Sequence, residues 1–497
     1  MSEKSFFFYD LETSGLKPRE DRIMQFAGQR TDMDLKPVGE PVNILVKMTD
    51  DALPSPGAIN VTGITPQKTL MEGISEAEFC KFVTEEVFVP ETVAVGYNTV
   101  RFDDEFMRAC FWRNFYEPYE WEWKDGRSRW DLLDVVRLTR ALRPEGINWP
   151  VREDGAPTNR LELLTKLNGL SHEHAHDALS DVFATIAVAK MIKEKQPKLF
   201  DFLFKMREKN AIKKLVNLED KKPFVYASGR YANKCNKTTV AVPLTAGRNG
   251  NVLVYDLRYD LERVLTESFV PNAGLEFSST SYAGAPGEPS LRDEPLGHVR
   301  NRRVENSNQN FMHSKTKDSV ARSSLFPIVK ELCFNKCPAV APVSVLEDGG
   351  WEKIGLDKEI VEKNLKTLLS HPEFAEKMRG EYENRPEFPK ALEPEGALYD
   401  GFLNDRDRIK VAAVRNADKR QLADFHPDFA DERLPELLLH YKGRNFPDTL
   451  SESEAEAYEK YRQARLKRLA PNFMKELSLV KDDFIKEELL LYMQSLQ

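Results

Sequence analysis

The sequence predicts an α/β domain with a mixed sheet over residues 1–196, a β-rich domain over 197–352 and a helical domain over 354–497. Three observations carry this. Strand-like and helix-like apolar patterns alternate through the first region, as in a sheet covered by helices. The helix that runs into K-E-K-Q-P-K stops at Pro197, and hairpin signals follow. Beyond about residue 354 the signals are helical. A length of 497 residues exceeds what one core supports and fits two or three domains. There is no internal repeat.

The first element is the run Phe6-Phe7-Phe8-Tyr9, apolar and aromatic like a buried strand. Strand side chains alternate faces, so Asp10 and Glu12 point the same way. Two carboxylates on one buried face repel and lose hydration unless a positive group lies between them. A divalent cation is the simplest such group; a strand end running into a polar turn, with both acids solvated, is the plain alternative. Thr92 to Val95 read as a second strand. After a short turn, Asp103 or Asp104 opens a helix whose apolar face includes Phe106, Cys110 and Phe111. An acid at a helix start is ordinarily a cap or a dipole partner, which accounts for one of these aspartates and leaves the other.

Next, an aromatic segment from Phe115 to Trp123 precedes Arg127, Arg129, Arg137, Arg140 and Arg143. Single-strand bases stack on such rings at ~1–3 kcal/mol each while arginines follow phosphates. The plain reading is a loop beside a solvated amphipathic helix from Trp130 to Leu142. The last signature of the region is H-E-H-A-H-D-A-L-S-D-V-F. Leu179, Val182, Phe183, Ile186 and Ala187 form a helical stripe. Residues five apart in a helix diverge by about 140°. His176 and Asp181 therefore converge only if His176 sits in the loop before the helix, with Asp177 as N-cap. The alternating His172, His174 and His176 are compatible with zinc. The carboxylates elsewhere favour a hard ion, Mg²⁺ or Mn²⁺. His172 and His174 are read as exposed loop residues whose removal should matter little.

In the second region, Thr239–Leu244, the turn G-R-N-G-N and Val252–Leu257 predict a hairpin. The stretch near 283–323, rich in Gly, Pro, Ser, Asn and Arg, reads as a flexible insertion. In the third, Ser451 and Glu454 form a capping-box pattern, and Glu456 with Lys460 an i,i+4 pair. No apolar run reaches membrane-spanning length and M-S-E-K-S is no signal peptide, so a cytoplasmic protein with no membrane partner is expected. The five cysteines show neither metal spacing nor a disulfide framework. The net charge of −8 argues against a non-specific nucleic-acid coat but not against a localised nucleic-acid site, since local fields guide a charged ligand.

D-x-E, N-x-x-x-F-D and H-x-x-x-x-D, in that order, resemble the histidine-containing branch of the DEDD-type 3′–5′ exonuclease superfamily. Y-N-T-V-R-F-D-D-E, S-R-W-D-L-L-D-V, A-L-R-P-E-G-I-N-W-P and A-H-D-A-L-S-D-V resemble, more narrowly, the bacterial exonuclease I family. The likeness runs from Phe6 to about Phe204 and continues through N-K-C-P and R-N-F-P, departing between about Asn272 and Ser323. It implies a ribonuclease H-like exonuclease domain, an SH3-like β-rich domain and an α-helical C-terminal domain. It implies a processive 3′→5′ exonuclease that degrades single-stranded DNA to 5′-mononucleotides, with roles in mismatch repair and recombination, working as a monomer. Two Mg²⁺ ions, with Mn²⁺ as substitute, fall to Asp10, Glu12 and Asp181 for one ion and Asp10 with Asp103 for the other. His176 is the general base, and Glu12 reaches the terminal 3′-hydroxyl. Arg108, Tyr119, Trp123, Arg137, Arg143 and Arg160 are implied to line the DNA path. Arg143 with Lys222 is expected to receive the acidic C-terminal tail of single-strand-binding protein. Two competitors stay open: an exoribonuclease of the same superfamily, because 2′-OH contacts decide that choice, and a catalytically dead binding module.

Overall fold

Five strands build the first sheet: β1 (Ser5–Thr13), β2 (Ile23–Thr31), β3 (Val42–Leu45), β4 (Thr92–Gly96) and β5 (Ser128–Asp131). The structure is a computed structural model that describes residues 3–172, 177–266, 328–347, 349–386 and 389–496. His174, His176 and the expected insertion near 283–323 lie outside the described residues. The strand order is β3-β2-β1-β4-β5. β1 is antiparallel to β2 and parallel to β4, which makes the sheet mixed, as predicted.

The aromatic run fixes β1 at the centre. Phe6 and Phe8 are buried on one face; Phe7, Tyr9 and Leu11 enter the core on the other, with Phe26 and Phe79. Opposite Tyr9, Gly28 leaves room that a Cβ would take from the Phe7 ring, 2.3 Å away. Helices α1 (Pro56–Thr62), α2 (Pro66–Glu72) and α3 (Glu76–Phe82) precede β4. Pairing of β1 with β4 ends at Phe8 and Val95, so Asp10 to Glu12 extend past their parallel neighbour. At that end of β4 a Cβ on Gly96 would lie 2.0 Å from Thr99 Cγ2 and 2.8 Å from the Tyr9 carbonyl. Asn98 then takes a left-handed φ of 74° and the chain turns into α4 (Asp103–Arg113). Every residue of α4 is buried, polar ones included, which is a wider burial than the predicted apolar face.

One predicted element is corrected. Trp130 does not begin a helix: Ser128 to Asp131 pair with β4 as β5, and α5 (Leu132–Leu142) starts afterwards. Trp130 is buried and stacks on Phe6, with ring centroids 6.3 Å apart.

The chain divides into two compact units. One comprises Met1–Leu132, Leu161–Met191 and Glu387–Gln497; the other, Leu133–Arg160 and Ile192–Pro386. Within the first unit, Phe473, Ile485, Leu489 and Tyr492 from the C-terminal helices share a core with Met24, Met48 and Ile59. Beside that core lie buried ion pairs: Arg22–Asp51 at 3.0 Å, Arg113–Glu76 at 2.6 Å and Arg444–Glu395 at 2.7 Å. The long helix Glu452–Leu477 opens with the predicted capping box of Ser451 and Glu454. With β6 (Phe224–Ala227), β7 (Thr238–Ala246), β8 (Val252–Asp256), β9 (Val329–Leu332) and β10 (Ala339–Pro342), the second unit holds an antiparallel sheet of order β10-β6-β7-β8-β9. In it β7 and β8 form the predicted hairpin, with positive φ at Asn249 and Gly250. No disulfide joins the five cysteines. Among the described residues, no helix is long and apolar enough to cross a membrane.

Candidate active site

Asp10 and Glu12 share a face of β1, as alternation demands. With Asp181 they form a cluster in which one carboxylate oxygen from each lies within 4.8 Å of the others. Glu12 is fully buried; Asp10 and Asp181 are half-buried. Asp181 arrives on α7 (Ala178–Lys195). The Asp177 side chain accepts from the Ser180 N–H at 3.0 Å, the expected N-cap, and the Asp177 carbonyl accepts from the Asp181 N–H at 3.0 Å. Asp181 thus stands in the opening turn, aimed by the cap.

The neighbouring aspartates of α4 divide their work. Asp103 Oδ1 accepts from the Leu11 N–H at 3.1 Å. That amide lies on the stretch of β1 that has outrun β4, so the helix start supplies the partner that the strand does not. Asp103 is thereby fastened between the two β1 carboxylates in sequence, though it stands outside the 4.8 Å trio. Asp104 instead accepts from the Tyr9 hydroxyl and from Arg129. Burial, with the Asp104 and Asp103 charges, pushes the Tyr9 phenol well above its ordinary range, so it remains a donor. Asp131 Oδ1 accepts from the Asn98 N–H at 3.0 Å and holds the turn that delivers α4.

Three like charges so close repel, and a divalent cation is what relieves them. The donor set is all carboxylate oxygen, which suits a hard ion. The residues present therefore fit a divalent metal.

His172 departs from expectation. Its side chain is 5% exposed, and its Nε2 lies 2.6 Å from Asp181 Oδ1. It is a neighbour of the carboxylate cluster, not an exposed loop residue. Sequence spacing hid this because the contact depends on how the chain returns from α6 (Leu161–Leu167) to α7; the only signal was its place in the alternating histidine run. His176 lies outside the described residues.

The nucleic-acid candidates are placed unequally. Trp123 is 65% exposed and Tyr119 half-buried. Arg108 is buried, its Nη1 donating to Glu105 at 2.7 Å and its Nε to Glu122 at 2.5 Å. Those carboxylates pair with its guanidinium in the absence of a nucleic acid. In the other unit, Arg137 is buried beside Asp134 at 2.7 Å, and Arg160 is half-buried. Arg143 donates to the carbonyls of Leu142 and Val345 at 2.7 and 3.3 Å. Lys222 is exposed, 3.4 Å from Asp220.

A mixed sheet whose central strand meets a later helix at an all-carboxylate cluster is an arrangement suited to metal-dependent hydrolysis of a phosphodiester. Residues 7–189 match the family described as Exonuclease. Residues 207–270 and 303–384 match the Exonuclease I SH3-like domain, and 392–491 the Exonuclease I C-terminal domain. The chain is 40% identical over 471 residues to exodeoxyribonuclease I of Haemophilus influenzae, covering 94% of this chain and 92% of the relative. It superposes on E. coli exonuclease I in complex with a dA16 oligonucleotide with a TM-score of 0.84 at 34% identity, covering 100% of both chains. The zinc ion-bound form of an E. coli exonuclease I–ssDNA complex gives the same values. The chain belongs to the exodeoxyribonuclease I family and is a phosphodiester hydrolase.

Proposed function

We propose that this enzyme is a processive 3′→5′ exonuclease that degrades single-stranded DNA to 5′-mononucleotides, serving mismatch repair and recombination in the cytoplasm. The observation that carries the reading is the meeting of Asp10, Glu12 and Asp181 within 4.8 Å in a chain of this family. Asp10, Glu12 and Asp181 would hold one divalent ion, and Asp10 with Asp103 a second; we assign Mg²⁺, with Mn²⁺ as substitute. Bound there, such ions orient the terminal phosphodiester, stabilise its developing charge and lower the pKa of the attacking water. His176 takes the proton from that water. Glu12 contacts the terminal 3′-hydroxyl, which selects the strand end. Tyr119 and Trp123 offer faces on which bases stack, and Arg137, Arg143 and Arg160 offer charge to phosphates. Arg143 and Lys222 bind the acidic tail of single-strand-binding protein, where a carboxylate needs a cation.

End-labelled single-stranded DNA, duplex DNA and RNA, each incubated with Mg²⁺ and then with chelator, test this reading. Rapid shortening of single-stranded DNA alone, abolished by chelator, is expected. Equal or faster loss of RNA, or shortening that survives chelation, contradicts it.

A further inference from the structure

We infer that His172 is a positioning residue for the catalytic carboxylates: it holds Asp181 in the rotamer that meets Asp10 and Glu12. The inference rests on the metal-site reading above. An aspartate in the first turns of a helix is free to swing toward water, and two nearby carboxylates drive it that way. Here something opposes that swing. His172 Nε2 lies 2.6 Å from Asp181 Oδ1, and a carboxylate partner fixes a proton on Nε2, so the imidazole donates. The ring is itself held. Its Nδ1, left unprotonated, accepts from the Thr165 hydroxyl at 3.1 Å, and Thr165 is fully buried on α6. The result is a chain of contacts from a buried helix, through an imidazole that is 5% exposed, to the carboxylate. A carboxylate has two oxygens, so accepting from His172 leaves acceptor capacity for an ion. Groups that orient ligands in this way tune affinity without touching the metal.

Mn²⁺ binding, followed by the electron paramagnetic resonance signal of free ion, tests the role on wild type, His172→Ala, His172→Gln, Thr165→Val and Asp181→Asn. His172→Ala should weaken Mn²⁺ binding by about tenfold or more, the size typical of lost outer contacts. Its turnover should recover at saturating Mn²⁺, with KM for single-stranded DNA unchanged. His172→Gln, which keeps an N–H at similar reach, should stay within about threefold of wild type. Thr165→Val should weaken binding in the same direction, and it decides the matter if His172→Ala does not fold. Wild-type affinity in His172→Ala, or a loss in His172→Gln equal to that in His172→Ala, overturns the positioning role. Wild-type affinity in Asp181→Asn instead overturns the metal-site reading beneath it.

Discussion

Asp10 and Asp181 come to one point from a strand and a helix far apart in sequence. Asp10→Ala and Asp181→Ala should each abolish turnover while leaving single-strand binding within roughly a few-fold of wild type, because the proposed function assigns the hold on the strand to rings and arginines elsewhere. Filter binding beside a nuclease assay reads both; activity near wild type in either variant removes that residue from the set. Asp103 and Asp104 separate the two kinds of work. Asp103→Asn should lower turnover with little change in Tm, whereas Asp104→Asn should lower Tm, since Tyr9 and Arg129 both lean on Asp104. The reverse pattern shows that the neighbours were assigned the wrong way round. His176→Ala should slow hydrolysis and flatten the acid limb of the pH–rate profile, because an imidazolium cannot accept the proton. An unchanged profile in the variant places the base elsewhere. The D-x-E pair and Asp181 were legible in sequence because strand alternation and an N-cap are local rules. His172 was misread because its partner is set by how the chain returns from α6 to α7, which spacing does not encode.

At the scale of elements, the buried ion pairs Arg113–Glu76, Arg22–Asp51 and Arg444–Glu395 govern acid stability. Burial pushes the Glu76 carboxyl up, but Arg113 and Arg22 pull it down to about 2. Glu395 is likewise raised by burial and brought to about 2 by His440 and Arg444. A carboxyl depressed on folding stabilises fully above its unfolded value, near 4.5, and that stability is lost as pH falls toward 2. Asp21, pushed up to about 6 by burial, acts with the opposite sign, but only down to its ordinary value of 3.8. The Tm should therefore fall most steeply below about pH 4, and Glu76→Gln should flatten that slope; an unaltered slope in the variant refutes the assignment. Glu76→Ala, which strands Arg113, should cost about 3–5 kcal/mol at neutral pH by chemical denaturation. None of this was visible in sequence: Arg444 and Asp51 are 393 residues apart. By contrast, the β7–β8 hairpin and the Ser451 cap were plain, because turn and cap chemistry is local. The β5 strand was misassigned because a four-residue parallel strand carries too few residues to show a period.

At the scale of the whole molecule, the segment from about Ala283 to Arg322 holds none of the catalytic carboxylates. Replacing it with a short Gly-Ser linker should leave cleavage of short oligonucleotides near normal. Its arginines and lysines can still follow phosphates, so digestion of long strands should become more salt-sensitive. Loss of activity on short oligonucleotides, with the fold intact by circular dichroism, contradicts this. The measurement that bears most directly on the central claim is product release from a single strand labelled in its 3′-terminal nucleotide, with Mg²⁺, by wild type and Asp181→Asn. Labelled 5′-mononucleotide should appear at once with wild type and be absent with the variant. Release of longer labelled fragments, or equal release by both proteins, contradicts an exonuclease built on these carboxylates.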